Sequence, residues 1–398
     1  MNNMEVRVLR GRHEIGGTCI EIRSNKKTLL LDIGSPLSDK NPDISYVKDK
    51  YNAVLISHSH ADHYGLMNKL DPGIPIYMGE LTYQLIHALE YFANQPLPAN
   101  PIFQFKPWEW IVIEGTPFKV YPYLMDHSSP EAFAFVISDG EEQIFYTGDF
   151  RATGAKQKVF DRLEQNPPKQ IKKLIIEGTN INRTPGKYRT EEDVQNAFLD
   201  IFRVQKNISF VIGSSQNVDR IIRAYNAAMK AKKTLVTDFY TYWILTLTAK
   251  ESTAIRVALN NIKVLRKGNI SGGQYSKMMK HLDVFDEFAR RIFKEKRSLT
   301  EEDLLENPAN YVFYGRMTHY SLIGKFECTN LNLIYSQYTG YLSDKFAGKV
   351  FGAVQINELR KEVNFKEIHT SGHANEEDLL RMESLFPDAE LIRVHTEF

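Results

Sequence analysis

The first half of the chain alternates short apolar segments with polar turns. Residues 5–9, 19–22, 28–32, 53–57 and 118–123 are rich in β-branched or aromatic residues and are bounded by Gly, Asn, Asp or Pro, which is typical of strands. Residues 132–138, 143–147 and 173–176 continue this pattern. Residues 81–93 have the periodicity of a helix. This part of the chain is predicted to form sheets flanked by helices.

The pattern changes at about residue 190. RTEEDVQNAFLDIF predicts a helix with acidic residues in its first turn, ISFVIG a buried strand, VDRIIRAYNAAMKA a second helix and TLVTD a second strand. This alternation is typical of a parallel α/β unit. We therefore expect a first domain over residues 1–190, an inserted domain over 191–350, and a return to the first domain over 351–398, where strand, loop, helix and strand follow one another.

Composition narrows the class of protein. The chain has 398 residues, 42% of them hydrophobic and 25% charged, as in ordinary globular proteins. A net charge of +1 neither supports nor excludes a nucleic-acid partner. The sequence contains no apolar run of about 18 residues and no signal peptide, which predicts a cytoplasmic protein without a membrane partner. Its two cysteines are too few for a thiolate zinc site, so any metal must rely on imidazole and carboxylate.

The segment HSHADH is the strongest candidate for metal binding. His58 and His60 follow a buried strand two residues apart, so an extended backbone would direct both imidazoles to the same side. Asp62 and His63 come next, where the chain turns and can direct a second pair elsewhere. Adjacent exposed histidines contribute little to a core, so this segment predicts ligands for two ions rather than a polar loop.

Two later residues stand where apolar strands end. His127 in YLMDHSSP and Asp149 in IFYTGDF precede turn residues, which is where a site at the edge of a sheet would draw its ligands. A single histidine beside Ser-Ser-Pro, or a single Gly-Asp, is more often a turn or cap residue. Their order after the histidine cluster favours the metal-site interpretation for both.

These segments together resemble the motifs of the metallo-β-lactamase superfamily. LLDIG with Asp32, HSHADH, Asp126-His127-Ser128 and TGDF occur in the superfamily's order. The resemblance implies an αββα sandwich with two zinc ions per chain, although manganese or iron could replace zinc. It also implies that Asp149 bridges the two ions and that Asp32 orients a ligand from behind. By the same resemblance, one ion is held by His58, His60 and His127, and the other by Asp62, His63 and a last histidine.

Three further segments are similar to the signatures of the β-CASP nucleases. Glu177 in IIEGTN matches the first signature, His373 in HTSGHA the second, and His395 in RVHTE the third. The α/β insertion between Glu177 and His373 matches the β-CASP domain, and the resemblance implies that His395 supplies the remaining zinc ligand. Within this family, a histidine at the third signature implies that the substrate is RNA. The order of all these motifs is most similar to that of the ribonuclease J group. That group continues into a C-terminal domain, whereas this sequence ends at Phe398, so oligomeric state, including a homodimer, stays open.

The loop before the last helix is a candidate phosphate site. Ser371 and Gly372 follow a strand and Asn375 caps a helix, so backbone N–H groups and a hydroxyl could converge on an anion. His373 would contact the same phosphate, and His369 lies in the same loop. Two weaker candidates are loops whose serines are as often helix caps or turn residues. These serines are Ser214, Ser215 and Ser336.

The expected function is metal-dependent hydrolysis of single-stranded RNA by a hydroxide that bridges two zinc ions. In this scheme Asp62 accepts a proton, His373 binds the phosphate or protonates the leaving oxygen, and Glu177 orients His373 or a ligand. Two alternatives are a hydrolase of a small ester, thioester or phosphodiester, and a catalytically silent RNA-binding subunit. The sequence leaves open whether cleavage is endonucleolytic or 5′ to 3′ exonucleolytic, and which RNA, or DNA, is cut.

Overall fold

The structure is a computed structural model that describes residues 3–37, 42, 44–47, 51–184, 186–266, 273–346 and 348–397. The chain divides into two compact units. The first comprises Met1–Ile86, Pro96–Pro185 and Gly372–Phe398, and the second comprises His87–Gln95 and Gly186–Ser371. The second unit therefore extends to Ser371 rather than to residue 350, because a strand within residues 351–371 pairs into its sheet.

The first part of the chain contains eleven strands and three helices among its described residues. The strands are β1 (Glu5–Arg10), β2 (Cys19–Ser24), β3 (Lys27–Leu31), β4 (Ala53–Leu55), β5 (Ile76–Gly79), β6 (Ile102–Phe105), β7 (Ile111–Val112), β8 (Lys119–Leu124), β9 (Phe133–Ser138), β10 (Gln143–Tyr146) and β11 (Ile171–Glu177). The helices are α1 (Ala61–Tyr64), α2 (Glu80–Ala93) and α3 (Gln157–Gln165). The eight strands and the helix predicted for this part are all present. Strands β5 to β7 were not predicted, since they are short and lack a clear alternation.

The second unit alternates helices and strands. Its helices are α4 (Glu191–Val204), α5 (Val218–Lys230), α6 (Phe239–Thr248), α7 (Thr253–Leu259), α8 (Gln274–Lys280), α9 (Leu282–Lys294), α10 (Glu301–Glu306), α11 (Tyr320–Ile323) and α12 (Ala353–Leu359). Its strands are β12 (Ser209–Ile212), β13 (Thr234–Thr237), β14 (Lys263–Leu265), β15 (Ser298–Leu299), β16 (Tyr311–Gly315), β17 (Asn332–Tyr335) and β18 (Asn364–Glu367). The chain then returns to the first unit through α13 (Glu376–Ser384) and β19 (Glu390–Val394).

The first unit is an αββα sandwich, as predicted. Its described strands form two six-stranded sheets, ordered β1-β2-β3-β4-β5-β6 and β19-β11-β10-β9-β8-β7. Apolar side chains from both sheets, including Leu29, Leu55, Phe133 and Ile144, share one buried core. On the outer face of the second sheet, α3 and α13 bury Phe160 and other apolar residues. Each helix thus covers a sheet face that would otherwise expose apolar surface.

Strand direction in the second sheet brings distant parts of the chain to one edge. Strand β11 is parallel to β10 and to β19, with Tyr146 opposite Ile175 and Glu177 opposite Val394. Strand β8 runs in the same direction, because β9 is antiparallel to both β8 and β10. The residues that follow these four strands therefore come together at their carboxyl ends.

The described strands of the second unit form one seven-stranded sheet, ordered β15-β14-β13-β16-β12-β17-β18. Every pairing in it is parallel, which confirms the predicted parallel α/β insertion. Helix α4 begins with a capping box between Thr190 and Asp193. Within the described part of the chain, no helix is both long and apolar enough to span a membrane.

Candidate metal centre

Three imidazoles form the first donor group. His58 and His60 follow β4, and His127 follows β8. His60 Nδ1 lies 3.1 Å from His58 Nε2 and 3.1 Å from His127 Nε2. As expected from their spacing, His58 and His60 direct their rings to the same point. Three ring nitrogens therefore meet where β4 and β8 end.

Hydrogen bonds on the far side of these rings direct their lone pairs inward. His127 Nδ1 lies 2.6 Å from the carbonyl oxygen of Gly372. A carbonyl only accepts, so Nδ1 carries the proton and Nε2 is left with its lone pair. His58 Nδ1 lies 3.0 Å from Ser57 Oγ, which itself donates to Asp32. Both His58 and His127 are thereby fixed in the tautomer that a metal ligand requires.

Asp62, His63 and His395 form the second donor group. Their ligand atoms all lie within 4.8 Å of one another. His395 Nε2 is 3.2 Å from Asp62 Oδ2, and the His63 and His395 rings are stacked with centroids 5.3 Å apart. Asp62 and His63 lie on the short helix α1, whereas His395 directly follows β19. This group therefore combines residues from near the two ends of the chain.

Asp32 supports the second group from behind. Its carboxylate lies at the end of β3 and accepts hydrogen bonds from the Ser57 backbone N–H, the Ser57 hydroxyl and the Tyr146 hydroxyl. It also lies 2.8 Å from His63 Nδ1. A carboxylate only accepts, so the His63 proton is on Nδ1. His63 Nε2 faces the centre, 3.1 Å from Asp149 Oδ2.

Asp149 lies between the two donor groups. Its Oδ2 is 3.1 Å from His63 Nε2, 3.9 Å from His58 Nε2 and 3.9 Å from His395 Nε2. Gly148, which precedes it after β10, has a φ of +54°, and a Cβ there would come 2.5 Å from the Phe133 carbonyl oxygen. Only glycine allows this close approach and this left-handed conformation together.

His373 lies beside the second group and is held by Glu177. His373 Nδ1 is 3.1 Å from Glu177 Oε2 and 3.6 Å from Asp149 Oδ2. Glu177, at the end of β11, also accepts from the Phe150 backbone N–H at 3.0 Å. Glu177 thus lies behind His373, on the side of the ring that carries Nδ1.

Thr179 and Asn180, which follow Glu177 closely in the chain, make contacts that the sequence analysis did not predict. Thr179 Oγ1 lies 3.1 Å from His373 Nδ1 and 2.8 Å from His395 Nδ1. The Asn180 side chain donates to the carbonyl oxygens of His373 and Ala374. Both residues belong to the IIEGTN segment, in which only the acidic residue was assigned a role. Their position just after strand β11 is the sequence signal from which both could have been predicted.

A buried ion pair also joins two of the site loops. Asp126 immediately precedes His127 and is 0% exposed, and Arg151 follows Asp149 by two residues and is 1% exposed. Their side chains pair at 3.5 Å, and the Arg151 backbone N–H donates to the Asp126 carbonyl oxygen. Arg151 therefore ties the loop after β8 to the loop after β10. Its sequence position gave no indication of this role.

The serines proposed for phosphate binding are placed differently from the metal candidates. Ser215 is buried, with its hydroxyl 2.7 Å from that of Thr241. Ser336 is also buried and bonds to Arg220 and to the Ile368 carbonyl oxygen. Ser214 accepts from the Gln216 backbone N–H in a local turn. These hydroxyls have internal partners, and all three residues lie in the second unit.

The remaining candidates for phosphate binding lie close to residue 371, where the second unit ends and the chain returns to the first. His369, in the second unit, has Nδ1 3.2 Å from the Arg220 guanidinium. Ser371 is the last residue of the second unit, and Gly372 and His373 begin the returning part of the first. Gly372 packs closely against Ser128. A Cβ on Gly372 would come 2.6 Å from Ser128 Oγ. Glycine is needed here for close packing.

Burial and neighbouring charge divide the histidines into two classes. Burial lowers the pKa of His58 and of His127 well below the usual value, and that of His60 to about 4. Burial by itself also lowers the pKa of His63, but the carboxylates of Asp149 and Asp32 raise it well above the usual value. Glu177 and Asp149 likewise outweigh burial and raise the pKa of His373 to about 9.

The donor set fits a divalent metal ion. Imidazole nitrogens and carboxylate oxygens are common ligands for such ions, and here they converge, with His58, His63 and His127 each hydrogen-bonded through the opposite ring nitrogen. His63 Nε2 is fully buried and faces this crowded centre, 3.1 Å from Asp149 Oδ2. A cation would satisfy that atom and separate the crowded nitrogens.

Comparison with known proteins agrees with the fold of the first unit. Residues 34–183 match the family described as the Beta-lactamase superfamily domain. Ribonuclease J of Sinorhizobium meliloti is 29% identical over 199 residues, which cover 48% of this chain and 35% of the relative. Ribonuclease J2 of Bacillus subtilis is 22% identical over 423 aligned positions, covering 100% of this chain and 70% of the relative.

A solved structure extends the similarity to the whole fold. The crystal structure of a protein of unknown function from Enterococcus faecalis V583 matches with a TM-score of 0.72 at 20% identity, covering 99% of this chain and 94% of the other. This match concerns the fold alone. The matches to ribonuclease J of S. meliloti and of Helicobacter pylori 26695 each span about a third of the relative's length, 35% in both cases.

The structure has the metallo-β-lactamase αββα fold with a parallel α/β unit inserted between β11 and α13, and residues 34–183 are similar to the Beta-lactamase superfamily domain. Within that class the chain resembles ribonuclease J of the β-CASP branch. The resemblance inferred from the sequence motifs is thus confirmed.

Proposed function

We propose that this chain is a metal-dependent ribonuclease that hydrolyses phosphodiester bonds in single-stranded RNA. The observation that carries the proposal is the position of Asp149 Oδ2 between the two donor groups, within 3.9 Å of a ring nitrogen of each. A carboxylate in this position would be shared by two ions, one held by each donor group. Zinc is the expected metal, and manganese or iron would accept the same ligands.

Each ion would be held by the residues of one donor group. The first group comprises His58, His60 and His127, and the second comprises Asp62, His63 and His395, with Asp149 shared by both. When bound, two such ions acidify water and neutralise charge on phosphoryl oxygens. Asp62, whose Oδ2 lies 3.2 Å from His395 Nε2, would accept a proton from the attacking water.

His373 would act on the substrate and not as a metal ligand. Glu177 occupies its Nδ1, so the proton on Nδ1 is retained and Nε2 is the atom available to a phosphate oxygen or to the leaving oxygen. Because the neighbouring carboxylates raise the pKa of His373, the ring can carry the second proton that a general acid donates. The backbone around Ser371 and Gly372 would contribute N–H groups to the same phosphate.

RNA is the proposed substrate because the curated relatives are named ribonuclease J and because the histidine ligand after β19 matches the signature of the RNA-cleaving members. Single strands are favoured because phosphate contacts and base stacking, which bind such strands, do not require a duplex. A hydrolase of small thioesters would use the same metal donors but would have no use for Glu177 behind His373.

The test combines metal analysis with two substrates. Purified protein should contain two equivalents of a divalent metal and should cleave 5′-labelled single-stranded RNA, and a chelator should abolish cleavage until zinc, manganese or iron is restored. A small thioester and duplex RNA serve as comparison substrates. Strong preference for the thioester, or full metal occupancy without cleavage of any RNA, would contradict the proposal. The second outcome would favour a silent RNA-binding subunit.

A further inference from the structure

The Thr179 hydroxyl contacts two histidines that the proposed function assigns to different roles. Thr179 is 6% exposed, and its Oγ1 lies 2.8 Å from His395 Nδ1 and 3.1 Å from His373 Nδ1. The contact follows from the register of the parallel pair β11 and β19, in which Glu177 is opposite Val394. The residues that come directly after both strands are therefore neighbours, although they are 216 positions apart in the sequence.

Counting protons assigns a direction to each of these hydrogen bonds. A threonine hydroxyl has one proton to donate and two lone pairs to accept with. Thr179 Oγ1 also lies 3.3 Å from the carbonyl oxygen of His395, which can only accept. If the single proton is donated there, both lone pairs are free to accept from ring N–H groups.

Each ring can supply such an N–H group. His373 Nδ1 is equidistant from Thr179 Oγ1 and Glu177 Oε2, at 3.1 Å from each, and the carboxylate requires a proton on that nitrogen. His395 Nδ1 has the same threonine oxygen at 2.8 Å. A consistent arrangement is one in which both imidazoles donate from Nδ1.

The consequence for His395 lies at the opposite ring nitrogen. A neutral imidazole protonated on Nδ1 has its lone pair on Nε2, and His395 Nε2 is 3.2 Å from Asp62 Oδ2. A lone pair facing a carboxylate is repulsive unless a cation binds both. The reverse tautomer would place a proton between these atoms and would compete with a metal ion.

We propose that Thr179 is a positioning residue that keeps the proton of His395 on Nδ1, leaving Nε2 free for the second metal ion, and that the same hydroxyl steadies His373. This inference rests on the proposed function, because it takes His395 as a metal ligand. Thr179 does not touch the reacting atoms. It acts through two imidazoles, one on the metal and one on the substrate.

The test compares two substitutions at this position. Thr179→Val keeps the branched shape but removes the hydroxyl, whereas Thr179→Ser keeps the hydroxyl. Loss of a hydrogen-bond partner behind a metal-binding histidine typically weakens metal binding about 10–100-fold. We expect this loss for the second zinc ion in Thr179→Val, measured by competition with a chromophoric chelator, and near wild-type affinity in Thr179→Ser.

A matched control accounts for the general cost of deleting a buried threonine hydroxyl. Thr237 is fully buried in the second unit, and its hydroxyl donates to the Tyr314 carbonyl oxygen. Thr237→Val should lower stability, as any such deletion does, and should leave the affinity for both ions unchanged. Equal loss of zinc affinity in Thr179→Val and Thr237→Val would overturn the proposal.

A second measurement tests the tautomer directly and requires neither RNA nor a variant. Long-range ¹H–¹⁵N NMR of ¹⁵N-histidine-labelled, zinc-loaded wild-type protein should show His395 protonated on Nδ1. A proton on Nε2 would overturn the proposal even if Thr179→Val failed to fold. Because neither measurement uses RNA cleavage, a protein that bound zinc as expected but cut no RNA would contradict the proposed function and leave this inference standing.

Discussion

His63 Nδ1 lies 2.8 Å from Asp32 Oδ2, and both side chains are fully buried. The same carboxylate accepts from Ser57 and Tyr146, so it is fixed before any metal binds. This single contact decides which nitrogen of His63 faces the centre. It is therefore a direct link between the end of β3 and the proposed second metal ion.

Asp32→Asn should weaken metal binding without removing any proposed ligand. The amide has nearly the same shape but no charge, so it orients His63 less firmly, and we expect the affinity for the second ion to fall about 10–100-fold. Chelator competition measures the change. Asp139→Asn, at a carboxylate that accepts from Ser24 away from the centre, is the control. Unchanged affinity in Asp32→Asn would show that His63 needs no support from behind.

Asp149→Asn should reduce metal content and RNA cleavage together. The substitution keeps the size of the side chain but removes the negative charge placed between the two donor groups. We expect fewer than two ions per chain by elemental analysis and cleavage at the background rate. Two tightly bound ions in this variant would mean that Asp149 does not bridge them.

His373→Gln should separate metal binding from catalysis. Loss of a general acid typically lowers the rate about 10²–10⁴-fold, while both ions should remain, because His373 is assigned to the substrate. Single-turnover cleavage of 5′-labelled RNA and elemental analysis are the measurements. His13→Gln, at an exposed histidine, provides the control. Loss of one ion in His373→Gln would instead identify His373 as a ligand.

The two proposed ions should be released at different pH values. The pKa of His60 is about 4, and burial lowers those of His58 and His127, so protons do not compete for the first group near neutral pH. Carboxylates raise the pKa of His63, so metal binding at the second group must displace a proton, and acid favours that proton.

Occupancy should accordingly fall from two ions to one as the pH is lowered from about 8 to about 5, with the remaining ion lost only in stronger acid. Equilibrium dialysis at a series of pH values measures this. His395→Gln should abolish the ion that is released first and leave the acid-resistant one. Simultaneous release of both ions would contradict the assignment.

Arg220 should be important for the stability of the second unit. Its guanidinium is fully buried, pairs with Glu191 at 2.9 Å and donates to Ser336 and Thr370. Arg220→Met removes the ion-pair partner of the buried Glu191 carboxylate, and we expect the free energy of unfolding to fall by about 3–5 kcal/mol in a urea titration. The double variant Arg220→Met/Glu191→Leu should lose less, because no buried charge remains. A double variant as unstable as the single one would show that the other hydrogen bonds dominate.

Local sequence determined the elements and the candidate ligands. The alternation of apolar and polar residues predicted β1–β4 and β8–β11, since one face of each strand is buried whatever its partner. Most proposed ligands were found because each stands where an apolar strand ends, whereas Asp62 and His63, on helix α1, were found because they follow His58 and His60 closely in the chain. Such signals depend on a few consecutive residues, so they can be detected without knowing the fold.

The tertiary structure alone decided which residues meet across long separations. Residues 351–371 join the second unit because β18 pairs with β17, a choice that depends on sheet partners and not on the strand itself. Ser336 accepts a hydrogen bond from the buried Arg220. From the sequence alone, this serine was indistinguishable from a turn residue. Thr179 contacts His395 only because β11 and β19 are adjacent. Its hydroxyl carries no local pattern, and only the register of two strands far apart in the sequence gives it a partner.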